Sequence, residues 1–183
     1  PEFDPNLFSK DYPHPIHYFF DNYGKDPEYD FNLFNSLLSL QNLDLNIRND
    51  RDQTPLSRCI HIKNLEILQR LIFDPRCDLD LQDENRQSCL YVAIANNNKD
   101  AISLLLKAGT LANAPNHDKE KNSPIMLAVK NNDISTIELL INYGANPNKW
   151  YNTEGLLPQH VGTSDVLQRL KEKGFNDVYQ PRS

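Results

Sequence analysis

The sequence predicts an all-α fold, a solenoid of stacked helix-loop-helix units with short finger hairpins between them. A three-residue motif recurs at Thr54-Pro55-Leu56, Ser88-Cys89-Leu90 and Ser123-Pro124-Ile125, at steps of about 34 residues. After each motif come a short helical pattern, a polar break and a second apolar helix. A short extended segment then closes the unit, as at 45–47 and 79–81. Self-similarity at this period is typical of a repeat architecture.

The two helices of each unit have recognisable ends. The Thr or Ser hydroxyl can cap the first helix, and a following Pro occupies the first turn, where no amide hydrogen is needed. Two of the second helices run into Gly109 and Gly144, which favour the left-handed conformation that ends a helix. Helices this short are marginal alone, so their stability must come from stacking each unit on its neighbour. Five leucines are predicted to be buried between the units: Leu56, Leu90, Leu105, Leu127 and Leu140.

Asparagine is abundant and glycine is scarce. The chain has 6 glycines, and it contains the run Asn96-Asn97-Asn98. Asn tolerates the left-handed backbone and can replace Gly at helix ends and tight turns. A coding sequence rich in A and T produces the same bias, so the composition does not separate chemistry from codon usage.

The sequence divides into three parts. Residues 1–42 carry apolar side chains at helical spacing and are interpreted as an N-terminal helical cap or a degenerate repeat. Residues 43–177 hold the repeats, and the last of these is eroded as a C-terminal cap should be. Residues 178–183 form a tail. The chain opens on Pro1-Glu2-Phe3 without Met, which favours a fragment of a longer protein.

The composition argues against several classes of function. The net charge of -6 gives no general attraction to phosphate backbones, and no basic stripe is present, so no nucleic-acid partner is expected. No apolar run approaches the roughly 18 residues of a membrane helix, so no membrane partner is expected. The 3 cysteines form no CxxC pair and predict free thiols in a reducing compartment. We expect a monomer when the protein is unbound.

The sequence contains no pattern typical of an active site. His14 and His17 have an HxxH spacing, but the prolines around them and the lack of a third ligand favour a structural helix start. Cys59 and Cys89 are predicted to be buried thiols that act as small apolar side chains. There is no phosphate-binding Gly loop, no HExxH and no GxSxG. We therefore expect no enzyme activity, no cofactor and no metal site in this chain.

The repeating unit resembles the ankyrin repeat, whose units run turn, helix, loop and helix and end in Gly-Ala-x-x-Asn. Residues 144–148 read Gly-Ala-Asn-Pro-Asn and match that ending, and Thr54-Pro55-Leu56 matches the motif that opens the first helix. The resemblance covers roughly residues 43–177. Three other residues stand where the finger turn of the family has glycine: Asp52, Arg86 and Lys121.

The resemblance implies a binding surface made of finger tips and first helices, which form a concave face in ankyrin folds. Transferred to this sequence, it predicts the partner-binding residues Asp50, Arg51, His61, Glu84, Asn85, Asn96, Lys119, Glu120, Lys130, Asn131, Trp150 and Tyr151. Trp150 and Tyr151 are the predicted anchors, because aromatic side chains bury a large area with few rotatable bonds. The alternative is that Trp150 folds back onto the last repeat as part of its cap.

Ankyrin repeats imply a protein-protein interaction module. The Asn-rich composition and the domain size are similar to those of the C-terminal ankyrin domain in the OspC family of bacterial type III secreted effectors. That resemblance implies a virulence protein that is secreted into the host cytoplasm and takes part in host-pathogen interaction. In such a protein a separate N-terminal transferase domain ADP-riboxanates an arginine of a host inflammatory caspase, and the ankyrin domain recruits the caspase.

Two other classes of function stay open. The first is an ankyrin scaffold or adaptor with no associated enzyme, such as an effector of an intracellular bacterium. The second is a purely architectural spacer. Without secretion, the expected location is the cytoplasm of the cell that makes the protein.

Overall fold

The computed structural model describes residues 4–7, 14–83, 85–114, 122–147 and 161–174. The helices within these ranges are α1 (Pro15–Asn22), α2 (Pro27–Ser39), α3 (Pro55–Ile62), α4 (Leu65–Ile72), α5 (Cys89–Ala95), α6 (Lys99–Lys107), α7 (Pro124–Lys130), α8 (Ile134–Asn142) and α9 (Ser164–Glu172). Over the same ranges the only strand-type pairing is an isolated antiparallel bridge between Gln82 and Ser88 at the base of a finger. The predicted all-α solenoid is confirmed.

The helices form two rows. The first-helix row consists of α1, α3, α5 and α7, and each of them packs on the next. In the second-helix row, α4 packs on α6 and α6 on α8, while α2 reaches α4 through the ring of Phe31, which lies 5.3 Å from the guanidinium of Arg70. The last helix, α9, joins the stack through an ion pair of 2.8 Å between Arg169 Nε and Glu138 Oε1.

Side-chain caps begin α3 to α8, and the hydroxyl caps of α3, α5 and α7 are the predicted ones. Thr54, Ser88 and Ser123 each accept a hydrogen bond from the amide three residues later, at 3.2, 3.2 and 3.3 Å. The second helices use amide or carboxylate oxygens in the same way, from Asn64, Asn98 and Asp133. Each cap satisfies an amide that the first helical turn leaves without a partner, and so defines where the helix begins.

Left-handed residues turn the chain at the ends of the helices. Gly109 and Gly144 follow α6 and α8 with φ of 94° and 89°, and Asn97 and Asn132 join the two helices of their units with φ of 50° and 53°. Asn therefore does replace Gly at these turns, because its short polar side chain tolerates this conformation. Two of the finger positions where ankyrin repeats have glycine are also left-handed: Asp52 and Arg86. The third, Lys121, lies outside the described residues.

The core runs between the two rows as one cluster of apolar side chains. Of the five leucines predicted to be buried, four are at most 1% exposed: Leu56, Leu90, Leu105 and Leu140. The prediction for Leu127 is wrong, since this side chain is only half-buried. In α7 the position equivalent to Leu56 and Leu90 is occupied by Ile125, which is fully buried. Leu127 lies two residues further along the helix, on a side that is partly exposed to solvent.

Two cysteine side chains belong to the apolar core. Cys59 and Cys89 are buried as predicted, and burial raises the pKa of both thiols.

Arg76 donates from Nη1 to the carbonyl of Leu40 at 2.7 Å and from Nη2 to the carbonyl of Leu38 at 2.9 Å, at the end of α2. The carboxylate of Asp74 holds the same guanidinium at 2.7 Å. A cation at a helix C-terminus is favourable, so Arg76 ties the α3–α4 unit to the end of α2.

An asparagine side chain ties the closing segment of one unit to the next. Asn46 donates from Nδ2 to the carbonyl of Arg76 at 2.8 Å and accepts from the amide of Asp78 at 2.7 Å. Asn113 makes the same two bonds to the segment after α8, at 2.8 and 2.9 Å. We call this pair of hydrogen bonds, to a carbonyl and to an amide two residues later, the asparagine clamp. It sets the register between neighbouring units.

The asparagine clamp also occurs at the N-terminal end of the described chain. Asn6 donates to the carbonyl of Asn42 at 2.6 Å and accepts from the amide of Asp44 at 2.7 Å. His14 stands before Pro15 at the start of α1, where Thr54 stands before α3. The α1–α2 pair thus makes the same kinds of connection to its neighbour as the later units do.

One clamp position carries a carboxylate. Asp80 accepts from the amide of Leu111 at 3.1 Å, which is the amide half of a clamp. The other half would go to the carbonyl of Gly109, two residues earlier, but a carboxylate cannot donate to it. Burial raises the pKa of Asp80, and the neighbouring charge of Asp78 raises it further. The segments that follow α4 and α6 are therefore held together by half a clamp where an amide would form a whole one.

We predict that Asp80→Asn raises the free energy of unfolding by about 1 kcal/mol, the net value of a typical hydrogen bond. The new Nδ2 group can donate to the Gly109 carbonyl, and the buried charge is removed. Urea unfolding at pH 7, followed by circular dichroism, measures the change. Asp78→Asn is the matched control, because it removes a neighbouring charge without adding a clamp bond. Equal gains in the two variants would contradict the clamp.

Candidate protein-binding surface

Four of the predicted binding residues lie at the C-terminal ends of the first helices. His61 is in the last turn of α3, Asn96 is the C-cap residue of α5, and Lys130 and Asn131 end α7. All four are exposed. Because α3, α5 and α7 pack side by side, these residues follow one another along one edge of the stack. We call them the first-helix edge.

Within the first-helix edge, Asn96 contacts His61, and Asn131 lines a cleft that reaches the end of α5. Asn96 Nδ2 lies 3.3 Å from His61 Nδ1 and can donate to it, which links α3 to α5. Between the α5–α6 and α7–α8 turns lies a cleft of about 630 Å³, lined by Ala95, Asn97, Lys99, Asn131, Asp133 and Ser135. Asn131 therefore faces the same space as the end of α5.

An ion pair forms the base of this cleft. Lys99 Nζ pairs with the carboxylate of Asp133 and donates to Thr136 Oγ1 at 2.9 Å. Burial acts to raise the pKa of Asp133, but the hydrogen bonds from Lys99, Thr136 and Ser135 outweigh it and lower the pKa to about 2. The Asp133 carboxylate is therefore charged at neutral pH and is already paired with Lys99. The two side chains join the α5–α6 unit to the α7–α8 unit, and the exposed Asn97 and Asn131 line the same cleft.

A second group of predicted residues occupies finger tips. Asp50 and Arg51 are exposed at the tip between α2 and α3, where the Arg51 amide donates to Asn49 Oδ1 at 3.0 Å. Asn85 is exposed at the next tip, and its amide donates to Asp83 Oδ1 at 2.9 Å. These hydrogen bonds hold the backbone of Arg51 and Asn85 in place.

The remaining predicted residues lie outside the described part of the chain. They are Glu84, Lys119, Glu120, Trp150 and Tyr151. Their part in binding stays a prediction from the sequence.

The structure adds an N-terminal extension to the first-helix edge that the sequence analysis missed. Asp21 occupies in α1 the position that His61 occupies in α3, and its Oδ1 lies 2.7 Å from Arg58 Nη1. Arg58 also donates to the carbonyl of His17 at 3.2 Å. Tyr18 is 50% exposed on the same helix. An alignment of His14-Pro15 with Thr54-Pro55 would have matched Asp21 to His61, because α1 begins at Pro15 as α3 begins at Pro55.

The two histidines of the HxxH pattern are structural. His14 and His17 are 3% exposed, and their rings meet edge to face with centroids 6.1 Å apart. His17 Nε2 lies 3.0 Å from the carbonyl of Ile47 and donates to it, while His14 Nε2 lies 3.3 Å from Asn6 Oδ1. Over the described ranges, no group of three or more His, Cys, Asp and Glu side chains could hold a metal ion. None of the described helices is long and apolar enough to cross a membrane.

Comparisons with known proteins agree with this architecture. Residues 56–151 match the sequence profile of the family described as Ankyrin repeats (3 copies), over more than half of the chain. The chain is similar to the crystal structure of the ankyrin repeat domain of Bcl-3, a unique member of the IkappaB protein family, with a TM-score of 0.69 and 26% identity. The similarity covers 75% of this chain and 60% of that one, so this chain spans less than two thirds of its length. No curated protein matches the sequence.

Stacked two-helix units with polar side chains exposed at the first-helix ends define a repeat protein of the protein-binding class. The chain belongs to the ankyrin-repeat family. Its repeats are protein-protein interaction modules.

We predict that acid destabilises the α1–α2 unit through His14. Burial, and then the neighbouring His17, lowers the pKa of His14 from 6.5 to about 4, although Asp44 and Asp4 oppose the shift. The folded state therefore holds a neutral imidazole that the unfolded state protonates. The stability is complete above pH 6.5 and falls as the pH drops toward 4, by up to about 3 kcal/mol.

The measurement is the free energy of unfolding of the wild type, His14→Asn and His61→Asn between pH 7 and 4. His14→Asn should lose less stability over this range than the wild type does. His61→Asn, which changes an exposed imidazole, should follow the wild type. Parallel pH profiles for the wild type and His14→Asn would refute the role of His14.

Proposed function

We propose that this ankyrin stack recruits a partner protein by contacting it with the first-helix edge and the finger tips. The observation that carries the proposal is the exposure of polar side chains in the last turn or at the C-cap of three consecutive first helices: His61, Asn96, Lys130 and Asn131. A solvated helix end needs no such alignment to be stable. A partner that spans several units does need it, because its contacts must repeat along the stack.

The surface suits recruitment because it is organised before the partner arrives. The helix ends are anchored by backbone bonds, such as Asn96 N to the Val92 carbonyl at 3.0 Å and Asn131 N to the Leu127 carbonyl at 2.9 Å. The finger tips are held by the side chains of Asn49 and Asp83. Little conformational entropy is therefore lost when a partner binds, and more of the contact energy appears as affinity.

The more specific proposal is that the stack is the substrate-recruiting domain of a secreted bacterial effector that acts in the host cytoplasm. The partner is then a host inflammatory caspase, which a separate catalytic domain ADP-riboxanates on arginine. The support is the Asn-rich composition and the domain size, which resemble the ankyrin domains of OspC effectors. In this proposal Trp150 and Tyr151 are the main anchors, and the charges of Glu84, Lys119, Glu120 and Lys130 tune specificity and association rate.

We predict that the purified chain captures a purified inflammatory caspase without modifying it. The double variant Lys130→Ala, Asn131→Ala should weaken capture about tenfold, because contacts in the middle of an interface dominate its energy. Lys107→Ala, at the exposed end of α6 in the second-helix row, is the matched control and should bind as the wild type does. The double variant Trp150→Ala, Tyr151→Ala should weaken capture more than the Lys130–Asn131 double variant does.

The outcomes separate the two levels of the proposal. No capture by the folded wild type would reject the caspase as partner. Capture that is unchanged in the Lys130–Asn131 variant, with melting temperature preserved, would reject the first-helix edge as the binding surface. Capture that is unchanged in the aromatic variant would reject the predicted anchors.

A further inference from the structure

We infer that a groove along the turns between the first and second helices binds an acidic segment of the partner protein, one that carries both carboxylates and apolar side chains. This inference rests on the proposed recruitment function and names the kind of chain that is recruited. Three observations support it: two clefts that meet, a hydrogen-bond donor from each of three neighbouring units, and an exposed leucine between them.

Two clefts join to form this groove. The cleft of about 630 Å³ lies between the α5–α6 and α7–α8 turns. A second cleft, of about 270 Å³, lies between the α3–α4 and α5–α6 turns. Both are lined by Asn97 and Lys99, so they meet at the α5–α6 turn. We call the joined clefts the turn groove. It runs across three consecutive units, from Lys63 to Asn131.

Each of these units contributes a hydrogen-bond donor to the turn groove. Lys63 ends α3 and Asn97 follows α5, both in the left-handed conformation, with φ of 54° and 50°, and Asn131 is the C-cap residue of α7. All three side chains are exposed, and none of them has a hydrogen-bond or ion-pair partner within the described part of the chain. A carboxylate only accepts hydrogen bonds, so it matches an ammonium group and two amide NH₂ groups.

The charge beside the turn groove favours an acidic ligand. Three turn segments border it: residues 61–64, 95–98 and 130–133. The whole chain has a net charge of -6, yet these segments hold Lys63 and Lys130 against a single carboxylate, Asp133, which is paired with Lys99. Arginine, which binds phosphate groups through paired hydrogen bonds, is absent from the three segments. Carboxylates of Asp and Glu therefore suit the groove better than phosphate groups do.

One carboxylate acts against this preference. Asp100 is exposed in the cleft that Lys63 lines, and it has no ion-pair partner among the described residues. It lies in the first turn of α6, where the helix dipole stabilises a negative charge. Removing Asp100 should therefore strengthen the binding of an acidic segment, whereas removing Lys63 should weaken it. Opposite responses from two neighbouring charges are the signature of charge complementarity.

An exposed leucine makes one end of the turn groove apolar. Leu65 is the first residue of α4 and is 44% exposed, while Leu68, one turn later, is buried. Both line the cleft that Lys63 also lines. An apolar side chain of the partner that covers Leu65 removes apolar surface from water, and a neighbouring carboxylate then reaches the lysine. The segment that matches this end of the groove is therefore acidic and apolar together.

The test is a titration of the ¹⁵N-labelled chain with an acetylated and amidated dodecapeptide of four Asp-Leu-Ser triplets. The backbone amide of Lys63 and the side-chain NH₂ resonances of Asn97 and Asn131 should shift together and saturate on one binding curve. A matched peptide of four Asn-Leu-Ser triplets has the same shape without the charges. It should bind about fivefold more weakly, because it loses several exposed ion pairs and charged hydrogen bonds.

Three variants locate the effect. Lys63→Gln should weaken binding of the acidic peptide about threefold, within the range of one exposed ion pair. Asp100→Asn should strengthen it about twofold, because a like charge is removed. Lys107→Gln makes the same change in net charge as Lys63→Gln, but at the far end of α6, and it should bind within about 1.5-fold of the wild type at 0.15 M salt.

The inference is overturned if the acidic peptide leaves the three resonances unmoved, if the neutral peptide binds equally well, or if Lys63→Gln and Lys107→Gln bind alike. Asn131→Asp, which replaces a donor by a carboxylate, takes the place of Lys63→Gln if the latter loses its native spectrum, and it should weaken binding. Capture of a partner protein without any response to the peptide would reject the inference while leaving recruitment intact.

Discussion

The stacking of each helix pair on its neighbour is the interaction on which the rest of the structure depends. The described helices are short, and helices of this length are marginal in water unless tertiary packing stabilises them. One apolar cluster runs from Ile16 in α1 to Leu170 in α9, so each unit is completed by the units beside it. Stability is then approximately a sum of nearest-neighbour interfaces, and damage to one interface exposes the two units that share it.

Polar bonds refine this stacking. The apolar faces attract without a strong preference for direction, whereas the asparagine clamps of Asn6, Asn46 and Asn113 each demand a carbonyl and an amide at a set spacing. The clamps and the Arg76 contacts therefore define the register in which the apolar faces meet. They lie in the closing segments and at the end of α2, so the C-terminal ends of α3, α5 and α7 stay exposed to solvent.

The interactions that stabilise the stack are separate from the exposed side chains at the helix ends. Backbone position at the first-helix edge is set by packing and capping, and the identity of each exposed side chain is then free to vary without cost to the core. Similarity to the ankyrin domain of Bcl-3 accordingly describes the scaffold, while the exposed side chains are particular to this chain.

The sequence by itself determined the repeat period, the helix starts and the turns, because caps such as Thr54 and left-handed residues such as Asn97 act within a few positions of the backbone. It also placed His61 and Asn131 at the exposed ends of the first helices through their position in the repeat. Only the tertiary structure decided which distant groups meet, as when Arg58 pairs with Asp21 and when Leu127 is left half-buried. Those contacts depend on how far each unit rotates and shifts on its neighbour, and the packing of whole helix faces sets that rotation.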